Sequence, residues 1–192
     1  MLLAGAQGVH AQTDGIVVGQ QDRYGLSRSF TYLDDDSAAM TLQDILKPES
    51  QARFKPTTNG AASTNFGATN SAIWLRVRLR TRLDAPRHWL LEVANPPLDR
   101  LDLYVSNTSG TYEHRAGGDS LPFARRAVPH RNHVEPVELD PGSVTTLYLR
   151  IASQGTVSAP TTLWQASALW QHDQRIYAIF GLYFGLLIGL FL

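Results

Sequence analysis

The sequence has no cysteine, only two lysines and a formal net charge of zero. Without cysteine, disulfides, thiolate catalysis and zinc-thiolate sites are excluded. The 17 basic residues are balanced by 17 acidic ones, which removes the broad electrostatic attraction expected of a nucleic-acid-binding protein. Because arginine supplies all basic residues except Lys47 and Lys55, the composition favours planar, bidentate recognition of carboxylates and stacking on aromatic rings.

Motifs for catalysis are also missing. The sequence has no Gly-x-Ser-x-Gly elbow, no His-Glu-x-x-His helix and no phosphate-cradling glycine loop. Glu135 and Glu138 resemble a glycosidase acid and base only in residue type, since that chemistry depends on a separation in space which the sequence does not fix. We therefore expect a protein that is not an enzyme and has no cofactor.

The two ends of the sequence predict export and attachment to a membrane. Residues 176–192 carry no charge, and seventeen such residues are the lower limit for crossing a bilayer core of ~30 Å at 1.5 Å per residue. We expect them to begin a transmembrane helix. At the other end, Val9-His10-Ala11 places small or compact residues before a possible signal-peptidase site, so residues 1–11 are interpreted as a signal-peptide remnant, with a plain N-terminal tail as the alternative.

Alternating hydrophobicity predicts β-strands between these ends. In Ser71–Thr81, the apolar residues Ile73, Leu75, Val77 and Leu79 alternate with Trp74, Arg76, Arg78 and Arg80, which is the pattern of a half-buried strand. Further strands are predicted at residues 28–33, 87–94, 99–106, 111–115, 133–139, 145–152 and 160–165. Thr41 is placed to cap a short helix. Seven or eight short strands with Pro- and Gly-rich turns predict an all-β fold, an antiparallel β-sandwich of the jelly-roll type.

The predicted sandwich covers residues 26–165 and has a short segment on each side. Residues 12–25 are polar and lack periodicity, so we interpret them as a linker. Residues 166–175 form a second, juxtamembrane linker, in which Ser167 can cap a helix. Trp170, Arg175 and Tyr177 are residue types that settle at a bilayer interface.

An ordered series of motifs resembles one known family. The motifs are Asn65-Phe66-Gly67, Trp74-Leu75-Arg76, Pro97-Leu98-Asp99-Arg100-Leu101-Asp102-Leu103-Tyr104, Asp119-Ser120-Leu121-Pro122-Phe123 with Arg126, His130-Arg131-Asn132, Thr146-Leu147-Tyr148-Leu149-Arg150, Leu163-Trp164 and Gly181-Leu182-Tyr183-Phe184-Gly185-Leu186-Leu187. They resemble the second type of 7TMR-DISM extracellular domain, which precedes the seven-helix membrane region of bacterial receptors with diverse intracellular signalling modules. The resemblance implies a periplasmic jelly-roll domain, similar to carbohydrate-binding modules, that signals to a cytoplasmic histidine kinase (two-component system) or cyclic-di-GMP enzyme.

Two groups of residues are candidates for ligand binding. Sugars are bound by aromatic faces together with planar polar side chains, and Trp74, Arg76 and Arg78 on one strand face supply both. The alternative is that these arginines pair with Glu92 and Asp102 while Trp74 packs in a secondary core.

The second group is His130, Arg131 and Asn132, with Arg126 and Arg125 nearby. It predicts a pocket for an anionic or hydroxylated ligand; the alternatives are hydrogen bonds that fix the loop, or a metal site formed with His133, for which no third ligand can be located. The acidic run Asp34-Asp35-Asp36 lacks the regular calcium-loop pattern, so a solvated turn is favoured over a calcium site.

The sequence thus predicts a periplasmic ligand-binding sensor domain of a receptor in the bacterial inner membrane. The expected partners are a carbohydrate-like ligand, the membrane through the C-terminal helix, and a second copy of the chain or another receptor's sensor domain. The alternatives are an interaction or dimerisation module that needs no small ligand, and a calcium-responsive domain.

Overall fold

The computed structural model describes residues 15–57 and 64–190 of the 192-residue chain. Their strands are β1 Ile16–Val18, β2 Arg23–Gly25, β3 Thr31–Asp35, β4 Lys55–Pro56, β5 Asn65–Ala68, β6 Ala72–Thr81, β7 His88–Val93, β8 Arg100–Ser106, β9 Tyr112–Gly117, β10 His133–Glu138, β11 Val144–Ala152, β12 Thr156–Ser158 and β13 Thr161–Trp164. The helices are α1 Leu42–Leu46, α2 Pro48–Ala52 and α3 Ala166–Leu190. The predicted signal-peptide remnant, residues 1–11, lies outside the described residues.

The strands form two main sheets that pack face to face. The larger sheet has the order β4-β3-β6-β11-β8-β9, with β1 also pairing with β6; the smaller has the order β10-β7-β13-β2, and β12 and β5 form a separate pair. All described pairings are antiparallel except that of β1 with β6. The chain passes repeatedly from one sheet to the other, so neighbouring strands such as β6 and β11 are distant in sequence. The predicted antiparallel β-sandwich is confirmed.

The hydrophobic core lies between the two sheets, where strand alternation places it. Ile73, Leu75, Val77 and Leu79 of β6 are buried there against Trp89, Leu91 and Val93 of β7. Burial of these side chains is the main favourable term for the fold, at about 25 cal/mol per Å² of apolar surface. The side chains of β6 that alternate with them point to the outer face of the larger sheet, away from the smaller one.

Helices α1 and α2 cover part of this outer face. Ile45 of α1 is buried with Leu33, Trp74 and Tyr148 in a second apolar cluster. The predicted cap is confirmed, because the Thr41 side chain accepts a hydrogen bond from the Asp44 backbone N–H and the Asp44 side chain accepts one from Thr41.

The segment interpreted as a linker, residues 12–25, contains two short strands in its described part, residues 15–25. Residues 16–18 pair in parallel with β6 and residues 23–25 pair with β13. Val18 is fully buried in the main core and Tyr24 packs against it. Strands of three residues are too short to show a periodicity in the sequence. Their positions are fixed by backbone hydrogen bonds to strands that are distant in sequence.

The C-terminal helix follows the sandwich almost directly. Only Gln165 separates the end of β13 from the start of α3. The Gln165 carbonyl accepts hydrogen bonds from the backbone N–H groups of Ala168 and Leu169, so the helix begins here and Ser167 lies inside it rather than at its cap. Within residues 15–57 and 64–190, no helix meets the length and apolarity needed to cross a membrane.

Candidate functional site

The three predicted residues on β6 share the outer face of the larger sheet. Trp74 is fully buried there, and its ring stacks on Tyr104 with centroids 5.7 Å apart and an interplanar angle of 21°. The indole N–H has no hydrogen-bond partner among the described residues. Trp74 therefore presents no face to solvent and belongs to the second apolar cluster.

The arginines beside Trp74 differ in their surroundings. Arg76 donates hydrogen bonds to Gln51 Oε1 at 2.6 Å and Thr31 Oγ1 at 3.1 Å, and its guanidinium lies 4.5 Å from the ring centre of Phe54. Partial burial lowers the pKa of Arg76. Arg78 is exposed, and the described residues offer it no hydrogen bond or ion pair within contact distance.

The acidic partners proposed for these arginines are engaged elsewhere. Asp102 is buried and meets Arg100 at 2.8 Å, His114 at 3.0 Å and Arg150 at 3.6 Å. The alternative expected from the sequence is thus right about the packing of Trp74 and wrong about the ion pairs. Strand register explains the difference, because Asp102 lies opposite Arg150 on β11.

The second predicted group meets the C-terminal helix. We call the contact of His130, Arg131 and Asn132 with Glu92 and Asp173 the helix junction. His130 Nε2 lies 2.6 Å from Asp173 Oδ2, and Arg131 Nη2 donates to Asp173 Oδ1 at 3.1 Å. Both oxygens of this buried carboxylate are therefore held by the loop that precedes β10.

The tautomer of His130 follows from its two neighbours. Its Nδ1 accepts a hydrogen bond from the Asn132 backbone N–H at 3.0 Å. The proton of the neutral ring must then be on Nε2, which donates to Asp173. One imidazole thus fixes the loop and holds the helix at the same time.

Beneath the junction, Glu92 of β7 is buried and accepts two hydrogen bonds. Asn132 Nδ2 donates to Oε1 at 2.6 Å, and Trp164 Nε1 donates to Oε2 at 2.8 Å. Each carboxylate oxygen has its own donor, as burial of a charged group requires. Glu92 thereby joins the predicted loop to the strand that leads into α3.

Arg126 and His133 shape the loop from within. Arg126 Nη1 donates to the His130 carbonyl at 2.7 Å, and its guanidinium lies 4.9 Å from the ring centre of Phe123. His133 Nε2 donates to the Pro96 carbonyl at 3.0 Å, and burial lowers the pKa of the imidazole below 6.5. These hydrogen bonds to backbone carbonyls fix the conformation of the loop.

Apolar packing reinforces the polar contacts. Val134, Trp164 and Leu169 form a buried cluster on the outer face of the smaller sheet, joined by Leu90 and Val128. Leu169 is the anchor that the helix supplies, and it is fully buried. The first turns of α3 are therefore a docked part of the domain.

A groove opens to solvent between the loop and the helix. Its volume is about 350 Å³, and its walls are Pro129, His130, Arg131, Trp170, Asp173, Gln174 and Tyr177. Trp170 is 42% exposed and Tyr177 is 56% exposed, and the guanidinium of Arg131 lies 5.4 Å from the Tyr177 ring centre. We call this feature the junction groove.

The acidic run Asp34-Asp35-Asp36, weighed above as a calcium site, lies where β3 ends in a turn. Asp35 accepts hydrogen bonds from Ser37 Oγ and the Met40 backbone N–H, and Asp36 accepts one from Ser71, which is the pattern of a turn held by its own side chains. Across residues 15–57 and 64–190, no group of three or more His, Cys, Asp or Glu side chains is arranged to hold a metal ion.

The sequence did not predict that Asp173 and Glu92 belong to the helix junction, or that Trp164 donates a hydrogen bond to Glu92. Asp173 had a usable signal, because it is the single acidic residue after Trp164. A lone carboxylate next to an apolar segment needs a partner, and the basic loop could have been considered for that role. The sequence suggested Glu92 only as an ion-pair partner of Arg76 and Arg78, and nothing in it indicated that Glu92 accepts from Asn132 and Trp164.

Comparison with known protein families places most of the chain in one domain. The family model described as 7TMR-DISM extracellular 2 matches residues 27–165, which is more than half of the chain and includes the loop of the helix junction. No curated protein sequence matches the chain.

Proposed function

Because the chain belongs to the 7TMR-DISM extracellular 2 family of receptor sensor domains, we propose that it is the periplasmic ligand-binding sensor of a bacterial membrane receptor. In this proposal the sandwich binds a carbohydrate-like ligand and α3 relays occupancy toward the membrane and a cytoplasmic output domain. The protein itself carries out no reaction in this scheme.

The observation that carries this proposal is the pair of hydrogen bonds between the loop before β10 and Asp173 of α3. His130 and Arg131 of the sandwich both hydrogen-bond to the buried carboxylate of Asp173. Leu169 packs the same turns of α3 against the smaller sheet. A ligand can shift a receptor only through unequal affinity for two arrangements. A helix attached by few, specific contacts supplies such arrangements, since moving it exchanges a small number of hydrogen bonds.

The end of α3 is the proposed membrane contact. Residues 176–190 carry no charge, and Ile179, Leu182 and Leu186 are each more than 60% exposed. A continuous exposed apolar surface of this kind marks a membrane or protein contact. In this proposal residues 176–192 begin the first transmembrane helix, with Arg175 and Tyr177 at the membrane interface and the hydrocarbon core beyond Tyr177.

The ligand is proposed to be carbohydrate-like because the two predicted groups each offer a planar guanidinium to solvent. Arg78 on β6 and Arg131 in the loop before β10 have exposed side chains. Trp74, His130 and Asn132 are buried in structural contacts. At either group a ligand would therefore meet the exposed arginine first and reach the buried residues only if the structure rearranged.

The test uses the 192-residue chain in lipid nanodiscs. Glycan-array binding identifies saccharides that the domain retains. Spin labels at A127C on the loop and Q171C on the helix then report the distance between sandwich and helix, and the absence of native cysteine makes both sites unique. We expect a saturating saccharide to change that distance distribution. Binding with an unchanged distribution would contradict the relay, and no binding to any glycan would contradict the ligand class.

A further inference from the structure

We propose that the junction groove is the binding site of a neutral, hydroxyl-rich sugar ring, which would lie between the loop and α3. This inference rests on the proposed function and assigns its ligand to a place. The groove of about 350 Å³ is at the lower end of the range for small-molecule sites. Its walls combine exposed aromatic rings with polar groups, the composition expected where sugars bind.

The aromatic wall belongs to the helix. Trp170 and Tyr177 are seven residues apart, which is about two helical turns, so they lie on one side of α3 roughly 10 Å apart along its axis. Trp170 is 42% exposed, whereas Trp74, Trp89 and Trp164 are each at most 5% exposed. The chain thus offers one open indole face, and it lies in this groove.

The polar wall supplies planar hydrogen-bonding groups with capacity to spare. A guanidinium has five N–H donors, and in the described residues Arg131 uses one of its nitrogens, Nη2, for Asp173. The Gln174 carboxamide has no hydrogen bond to the described residues and is exposed. Free planar donors and acceptors beside an aromatic face suit the adjacent hydroxyls of a pyranose.

The charge of the groove favours a neutral ligand over an ionic one. Arg131 and Asp173 are its two charged side chains, and they form an ion pair at 3.1 Å. Because Asp173 is buried and already pairs with Arg131, the groove offers an ionic ligand little uncompensated charge. A sugar hydroxyl can accept a hydrogen bond from a remaining N–H group of Arg131 without displacing Asp173.

The site would also explain how occupancy reaches the helix. Pro129, His130 and Arg131 line the groove from the sandwich, and Trp170, Gln174 and Tyr177 line it from α3. A ring that touches both walls binds best at one separation, so its affinity depends on the position of the helix. By linkage, binding then stabilises that position to the same extent.

Tryptophan fluorescence tests this placement directly. In nanodiscs, acrylamide is expected to quench mainly Trp170, because the other three indoles are buried. The probe is the neutral oligosaccharide that binds best on the array, with its uronic-acid counterpart as the charged comparison. We expect the neutral sugar to lower the quenching constant and the charged one to bind at least about tenfold more weakly. Unchanged quenching at saturation would overturn the placement.

Matched variants separate this inference from the proposed function. Trp170→Ala and Gln174→Ala are expected to weaken binding by about tenfold, the loss of one good contact. Gln171→Ala, an exposed amide on the same helix outside the groove, is expected to bind as the wild type. If the sugar binds equally well to all three variants, the groove is not the site although the sensor function stands. If no saccharide binds even the wild type, the proposed ligand class itself fails.

Discussion

The Nε2 atom of His130 lies 2.6 Å from Oδ2 of Asp173, and this contact joins a loop of the sandwich to the C-terminal helix across 43 positions of sequence. Both side chains are buried, so water does not compete strongly for the hydrogen bond. The family match covers the sandwich, residues 27–165. The contact of His130 with Asp173 shows how the sandwich is joined to α3, which follows it in the chain.

Removal of the Asp173 carboxylate should loosen the helix without unfolding the sandwich. Asp173→Ala leaves His130 and Arg131 without their shared acceptor, and hydrogen bonds to charged groups contribute about 1.5–3 kcal/mol each. We expect amide hydrogens of residues 168–175 to exchange at least tenfold faster, while those of β6 and β11 keep their protection. Gln171→Ala is the control. Equal exchange in Asp173→Ala and wild type would show that Leu169 alone holds the helix.

Glu92 should be more sensitive to substitution than its place on a strand suggests. Glu92→Leu leaves the Asn132 amide and the Trp164 indole N–H buried without an acceptor, at a cost of about 1–3 kcal/mol for each. Glu92→Gln keeps one carbonyl oxygen and should lose less. The free energy of unfolding in urea measures both. The control Glu138→Gln removes an exposed ion pair with Arg87 and should change stability by less than about 1 kcal/mol.

His133 should make the domain less stable in acid. Burial lowers the pKa of its imidazole in the folded state, despite the hydrogen bond to Pro96 and the nearby Asp119, and Arg126 adds to the lowering. The unfolded chain therefore binds more protons just below pH 6.5, so the contribution of His133 is fully present above that pH and is lost as the pH falls toward the lowered value. The stability difference between wild type and His133→Gln should shrink on acidification from pH 7.5 to 5.

A second, partly buried group provides the opposite sign for comparison. Burial raises the pKa of Glu135 above 4.5, and Arg115 opposes this shift. The folded state therefore binds more protons than the unfolded chain, and the stability of the wild type relative to Glu135→Gln should increase as the pH falls toward 4.5. A His133→Gln difference that does not vary with pH would show that the imidazole titrates alike in the folded and unfolded chain.

Trp74 should prove to be a core residue. Trp74→Ala removes a fully buried ring and is expected to cost about 3–5 kcal/mol of stability. Trp74→Phe keeps the ring stack on Tyr104 and removes an indole N–H that has no described partner, so its loss should be much smaller. Glycan binding by Trp74→Phe should match that of the wild type. A selective loss of binding at unchanged stability would return Trp74 to the ligand site.

The sandwich was predictable because its strands alternate. Along residues 72–81, alternate side chains enter the main core and the others point to the outer face of the sheet, and the sequence shows this period of two directly. The same rule placed Trp74 on the face opposite the main core. It gave no warning that α1 and α2 cover this face, because the contact of Ile45 with Trp74 is formed by distant segments.

The helix junction was only partly predictable, because it joins segments that are distant in sequence. The cluster from His130 to Asn132 is conspicuous in the sequence as a run of polar side chains. Its partner Asp173 is 43 positions from His130, in a segment that the sequence predicts to be a juxtamembrane linker. Hydrogen bonds between distant segments leave no periodic trace. The alternative of loop-fixing hydrogen bonds describes the contacts of these residues, and ligand binding in the groove that they line stays a prediction.

The single residue between β13 and α3 has a mechanical consequence. With only Gln165 as a connector, the base of the helix stays close to the end of β13, so a movement of α3 is a change of its angle to the sandwich. From Asp173 to Leu190 the helix extends about 26 Å at 1.5 Å per residue, so a tilt of about ten degrees at the Asp173 grip would carry the far end sideways by roughly 4–5 Å. Sub-ångström adjustments at the base of such a lever arm would thus become displacements as large as a side chain at its tip.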